Sequence, residues 1–246
     1  MEDLLCCTVL RHPDDQRSYE AAISENPINA SVPSTARRQK RALASHSRLW
    51  APGRTLRIAF KPGTPLSHQE AVFEAGSQWL THANLKFELT KTWRLADIRI
   101  ETHPTAKALN NAYIGTDALL IRGTTLNLSV QKDHKRFQNT VLHEFGHALG
   151  LEHEHQHPDN DIAWDLENLI AYGRKKGLSA AFIQDNYLRK ISRTGALIGP
   201  YDPGSIMHYR IPAGLTQQNL TNAGSDTLSE GDIALIAKAY PGKDLI

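Results

Sequence analysis

Apolar and polar positions alternate at Leu56-Arg57-Ile58-Ala59-Phe60, at Leu85-Lys86-Phe87-Glu88-Leu89 and at Ile98-Arg99-Ile100. That is the two-residue period of half-buried strands. Between the first two runs the spacing becomes helical. Ala71, Val72, Ala75, Trp79 and Leu80 share one face of a segment that runs from a Ser67 cap to His82. The order so far is β-α-β-β. Two further short strands are expected near 112–120 and 125–130, followed by a helix over about 136–149. Helical pieces follow at 165–176 and 179–191, then a loop over 195–204. Ser229, with Asp232 at the capping-box position, opens a last helix. Ile233, Ile236, Ala237 and Tyr240 form its packing face, and Pro241-Gly242 stops it.

Residues 1–47 carry little periodicity, which predicts an N-terminal arm or pro-segment ahead of a single domain over 48–246. The run Arg37-Arg38-Gln39-Lys40-Arg41 is a solvated basic linker by default. Its Lys40-Arg41 step is also a place where a trypsin-like protease would cut an exposed loop.

Composition narrows the choices. A chain of 246 residues can bury a substantial core without covalent staples. Its 28 Lys and Arg against 26 Asp and Glu leave a formal charge of +2, which gives no nucleic-acid footprint. No apolar run is long enough to span a bilayer. The start, Met1-Glu2-Asp3-Leu4-Leu5, lacks the basic residues and long apolar core of a secretory signal. That favours a cytoplasmic protein or export by a non-classical route, with secretion as the alternative. The two cysteines, Cys6 and Cys7, are adjacent and have nothing downstream to pair with, so the domain is expected to hold no disulfide. A monomer is the simplest expectation for assembly.

The chemistry is concentrated in His143-Glu144-Phe145-Gly146-His147-Ala148-Leu149-Gly150-Leu151-Glu152-His153. Two histidines four apart on a helix face the same way, so His143 and His147 can bind one ion. Gly150 can take the left-handed conformation that ends a helix and brings His153 back as a third ligand. Three imidazoles with an open fourth position describe a catalytic zinc site, one ion in this case. Glu144 stands beside the first ligand, where it can take a proton from a metal-bound water. A helix that merely carries surface histidines is the plain alternative.

A second segment, Tyr201-Asp202-Pro203-Gly204-Ser205-Ile206-Met207-His208-Tyr209, follows downstream. Together the two segments resemble the astacin branch of the metzincin zinc peptidases. The resemblance covers about residues 48–243. It implies an α+β metzincin catalytic domain: a twisted mixed sheet with two main helices above an active-site cleft, and a mostly helical or irregular lower part from about residue 151. It also implies that Met207 forms an apolar floor beneath the zinc histidines, where ordinary core packing is the bland reading. Tyr209 becomes a switchable fifth ligand whose hydroxyl stabilises the transition state. His208 reads as structural. Glu154 matches the residue that in astacins receives the ammonium of the processed N-terminus. A peptide or protein substrate is expected to lie extended along an edge strand near 112–120.

The chain departs from the family pattern after His153. His157 and Asn160 stand where the family usually has arginines, and animal-type disulfides are absent. His155 and His157 could replace His153 or bind a separate ion, but are read as surface or outer-shell residues. The arm offers one more feature. A thiolate is a strong zinc ligand, so Cys6 or Cys7 could occupy the open position as a latch. The plain reading is that both are incidental. The functional expectation is a zinc-dependent endopeptidase. A zinc hydrolase acting on a different amide, or a metal-binding module without chemistry, are the alternatives.

Overall fold

Alternation is obeyed where the sheet is deepest. In a computed structural model, which describes residues 7–30, 47–103, 110–193 and 197–242, strand β2 (Thr55–Phe60) buries Leu56 and Ile58 while exposing Thr55 and Arg57. It pairs in parallel with β3 (Lys86–Leu89) on one side and β4 (Ile98–Thr102) on the other. β4 pairs in parallel with β6 (Leu126–Leu128), and β6 pairs antiparallel with β5 (Asn110–Tyr113). The sixth strand, β1 (Cys7–Leu10), comes from the arm and adds in parallel to the free side of β5, Val9 opposite Ala112. The order across the sheet is β1-β5-β6-β4-β2-β3.

Two helices pack on this sheet. α2 (Leu66–Ser77) presents Val72 and Ala75, and α3 (Phe137–Ala148) presents Val141, Leu142 and Phe145. All five pack in the same core as Ile58, Ile100 and Leu126. Two buried indoles are satisfied by the backbone of the α3 region. Trp79 Nε1 donates to Leu142 O and Trp50 Nε1 to Ala148 O. At the other end of the chain, α6 (Glu230–Ala239) starts at the expected Ser229–Asp232 capping box. Its C-cap residue Tyr240 donates its hydroxyl to Leu149 O at 2.5 Å, tying it to the end of α3.

The lower part has a second, smaller core of Ile162, Leu169, Ile183, Tyr187, Tyr209, Ile211 and Leu215, which Cys7 of the arm joins. It is built on α4 (Leu166–Lys175) and α5 (Ala180–Ile183), the latter running directly into a π-helical turn, Gln184–Leu188. Among the described residues, no helix is long and apolar enough to cross a membrane.

Several local expectations shift. Ser67 does not cap α2: the cap is Pro65, whose fixed φ suits a helix start, and Ser67 lies inside the first turn. Of the expected 112–120 strand only residues 112 and 113 are strand, the end of β5, and Gly115–Leu120 winds into a 3-10 turn. The arm is more ordered than its composition suggests. After β1 it forms α1 (Asp15–Glu25), capped by the Asp14 side chain, and a 3-10 turn over Pro27–Asn29. The basic run at 37–41 and Cys6 lie outside the described residues.

Candidate active site

α3 reaches the site with almost no exposed surface, burying His143, Glu144 and His147 together. Its end is set by Gly150. With φ at +94°, this residue closes a Schellman motif in which Leu151 N–H donates to Gly146 O and Gly150 N–H to His147 O. The reversal has an immediate chemical use. The Leu151 carbonyl accepts from His147 Nδ1 at 2.8 Å, so the chain that turns away also orients the second histidine. His143 Nδ1 is held in the same way by Ile206 O, 2.8 Å away on the loop before Met207. With both Nδ1 atoms donating, the two Nε2 lone pairs are free to point inward.

They converge with the third. His147 Nε2 lies 3.1 Å from His143 Nε2 and 3.0 Å from His153 Nε2. Ligands at about 2.0–2.1 Å from one tetrahedral zinc ion would sit roughly 3.3 Å apart. Three inward lone pairs at this distance repel unless a cation lies between them. Burial pushes the His143 imidazole down to about 4, and also lowers His147 and His153 well below the usual histidine range, so protons do not supply that cation. The donor set therefore fits zinc.

Glu144 is the adjacent carboxylate. Burial pushes it up to about 8, opposed by a hydrogen bond from Cys7. Its Oε2 is buried with no protein partner, as expected of an oxygen reserved for water or substrate. Cys7 Sγ approaches from the arm and lies within 4.8 Å of all three imidazole nitrogens, forming a buried four-donor cluster. Tyr209 packs its ring edge-on to His153, with centroids 4.3 Å apart, and its hydroxyl donates to Cys7 O. A cavity beside Glu144 is lined by Arg136, Asn139, Thr140, His208 and Arg210.

Met207 lies under α3, and Gly146 makes room for it. A Cβ at residue 146 would collide with Met207 Sδ and stand 3.2 Å from the Trp79 ring. Gly146 fills one of the two free positions between Glu144 and His147, so the motif alone gave it no role.

Among the described residues no other histidine joins the cluster. His208 is structural, its Nδ1 donating to Tyr209 O and its Nε2 facing Tyr201 Oη at 3.0 Å. His155 and His157 are not surface residues. They are 1% and 4% exposed, each with Nε2 bonded to a carbonyl, Asn186 O and Gly199 O respectively. Neither replaces His153. Where arginines would make ion pairs, neutral groups close the loop: Asn160 Nδ2 donates to His155 O and His157 O. Glu154 accepts from Asp202 N–H at 2.8 Å, and burial pushes its carboxyl up to about 7.

The arm is fastened mostly through polar groups. Arg11 pairs with Glu152 at 2.5 Å. Ser18 Oγ donates to the buried Asp117, which also binds Arg48 at 3.1 Å. Asn29 holds Leu49 through both its amide nitrogen and its oxygen.

The comparisons agree with this geometry. Residues 42–240 match the family model of the astacin peptidases. The solved structure of myroilysin superposes with a TM-score of 0.74 at 33% identity, covering 79% of this chain and 96% of that one. Blastula protease 10 of Paracentrotus lividus is 26% identical over 204 residues, 80% of this chain and 30% of that protein. Zinc metalloproteinase dpy-31 of Caenorhabditis elegans is 25% identical over 249 residues, 94% of this chain and 38% of that protein. The chain thus spans well under half the length of these two relatives. On the family match and the three converging imidazoles, it belongs to the astacin family of zinc metallopeptidases.

Proposed function

We propose that this chain is a zinc-dependent endopeptidase held latent by its own N-terminal arm. One observation carries the reading: three imidazole nitrogens converge with the Cys7 thiol from the arm, and the same thiol hydrogen-bonds the Glu144 carboxylate.

His143, His147 and His153 would hold the ion. Zinc bound there supplies Lewis acidity, polarising a scissile carbonyl and bringing the pKa of a water molecule toward about 7. The residues do the rest. Glu144 takes the proton of the attacking water and passes it to the leaving amine. The Tyr209 hydroxyl, released from the Cys7 carbonyl, donates to the oxyanion of the tetrahedral intermediate. Met207 and Gly146 fix the floor on which the histidines rest. Substrate would add to β5 as an extended strand, on the side that β1 occupies in the latent chain. Arg136 and Arg210 line the adjacent cavity and favour a substrate carboxylate near the scissile bond.

Latency follows from what the arm covers. β1 takes the strand edge, the Cys7 thiol lies where it would be the fourth donor to a zinc ion, and the Cys7 carbonyl holds the Tyr209 hydroxyl. Cutting near Lys40-Arg41 would free the arm. The cut chain would keep Ser47, which lines a cavity with Glu154, and the buried Glu154 carboxylate is a natural partner for an ammonium.

The test compares the full chain, the same chain after trypsin, and a Cys7→Ser variant, all loaded with zinc and quantified by metal analysis. The expected result is one zinc per chain throughout, and low peptidase activity that rises at least about tenfold on cutting or in the variant, the factor that goes with about 1.4 kcal/mol of lost docking. Zinc-loaded protein that cleaves no peptide in any of the three forms would sink the peptidase reading. Equal activity in all three would sink the latch alone.

A further inference from the structure

His155 has no part in the metal cluster, yet it is among the most buried polar residues of the chain. It sits on the 3-10 turn Glu154–Gln156, two residues after His153, and its ring lies face to face with Tyr209, centroids 4.0 Å apart and planes at 18°. The two other rings close to Tyr209 behave differently: His153 and Tyr187 meet it at 61° and 67°, by their edges, while His143 lies farther off, tilted by 31° at 6.3 Å. An edge blocks a ring. A parallel face lets it slide within one plane while resisting tilt.

The imidazole plate is itself held rigid. Nε2 donates to Asn186 O at 2.7 Å, on the π-helical turn Gln184–Leu188, and the same turn brings Tyr187 against both rings. Trp164 closes the box, edge-on to His155. The amide of Asn160 holds the His155 carbonyl. With Nε2 committed as a donor, Nδ1 remains a buried lone pair without a partner in the structure. Hydrogen bonding therefore accounts for only one edge of the ring. What the rest of the ring does is stack. π-Helical turns are uncommon and often mark functional positions, and this one presents its carbonyl to the residue that carries the tyrosine.

We infer that His155 is a positioning residue for Tyr209: it is the flat support along which the phenol moves between its resting place and the oxyanion. The idea rests on the reading that the Tyr209 hydroxyl acts in the transition state. The stack costs the ring none of its travel in the plane and removes the tilts that would carry the hydroxyl out of line. A wrongly tilted phenol weakens transition-state binding and leaves ground-state peptide binding alone, so the loss belongs in kcat.

The test uses zinc-loaded full-length chains opened by identical trypsin treatment: wild type, His155→Leu, His155→Phe, Tyr209→Phe and the double variant His155→Leu with Tyr209→Phe. Each is read by kcat and KM on one unstructured peptide, by zinc content, and by the crystallographic orientation of the ring at position 209. For His155→Leu, kcat should fall about tenfold, the size of a lost aromatic stack, with KM and zinc unchanged. His155→Phe, which keeps a flat face, should recover most of the loss. On top of Tyr209→Phe, the Leu substitution should cost nothing more. In the crystals the ring should leave its plane in the Leu variant and keep it in the Phe variant. If the Leu variant does not fold, His155→Gln retains a donor for the Asn186 carbonyl without a ring and answers the same question. An equal kcat loss in both backgrounds, or a loss that follows zinc content, overturns the proposal. If Tyr209→Phe alone leaves kcat unchanged, the hydroxyl reading fails. The crystal orientation then decides separately whether His155 positions the ring.

Discussion

Two parts of the molecule meet at the metal site and are held there by opposite means. α3, which brings His143, Glu144 and His147, is buried on nearly every face and wedged among Trp79, Phe87 and Met207. The arm, which brings Cys7, is fastened by strand pairing, by the Arg11–Glu152 ion pair, and by Ser18 and Asn29. The only residues α1 buries are Ser18 and Ala22. An apolar core cannot be exchanged without unfolding, whereas a polar contact can be traded for water at small net cost. The difference separates what must stay from what can leave.

The most severe way to break the permanent half is chemical. Glu144→Gln keeps the shape and volume of the side chain and removes the proton acceptor. Peptidase activity of the trypsin-opened enzyme should fall by at least about 10²–10⁴-fold, the usual contribution of a general base, with zinc content unchanged. Near-normal turnover by this variant would mean that another group carries the proton.

A packing change in the same helix sharpens the comparison. Gly146→Ala places a methyl group where Met207 Sδ now lies, with Trp79 behind it, so neither neighbour can withdraw freely. Overpacking of this kind costs about 1–3 kcal/mol. In a domain of this size that corresponds to a Tm lower by roughly 2–4 °C for each kcal/mol. Because the contact lies wholly within the domain, the drop should be the same before and after trypsin. A drop confined to the uncut chain would mean that Gly146 serves the arm.

The same division explains which features were legible in the chain. Spacing alone located the three histidines, because i, i+4 and a glycine turn are local geometry, and the capping box at Ser229 is likewise local. The arm was not legible as structure. A four-residue strand exists only because β5 offers it an edge, and a helix that buries a serine and an alanine writes no apolar stripe. His155 was left open between a surface and an outer-shell place for a related reason: in Glu154-His155-Gln156-His157 every side chain is polar, and nothing local chooses between the two. The aromatic box that buries His155 comes from Trp164 on the next segment and from Tyr187 and Tyr209, far along the chain. Cys7 falls between these cases. Its ligand chemistry was visible from its type, but its place beside the histidines needed the β1–β5 register, which sets Cys7 opposite Asn110.

The mildest intervention acts on the detachable half. Arg11 reaches Glu152, one residue before the third zinc ligand, and both side chains keep some contact with solvent, at 28% and 21% exposure. Burial pushes the Glu152 carboxyl up, and the Arg11 charge and hydrogen bond, with the charges of Arg48 and Arg189, together outweigh it and hold the group below the usual range. Partial exposure screens the pair, so its worth is nearer the surface figure of up to about 1 kcal/mol than that of a buried bridge. Arg11→Ala should therefore speed release of the cut arm by at most roughly fivefold, while the Tm of the opened domain stays where it was. Salt should imitate the substitution in the wild type, since the Debye length falls from about 10 Å at 0.1 M to about 3 Å at 1 M, and it should do little to the variant. Release is followed by size-exclusion chromatography after trypsin, alongside the rise in peptidase activity. A release rate indifferent to both Arg11→Ala and salt would show that strand pairing and Cys7 alone retain the arm. A Tm that falls as far as in the Gly146 variant would place Arg11 among the permanent contacts.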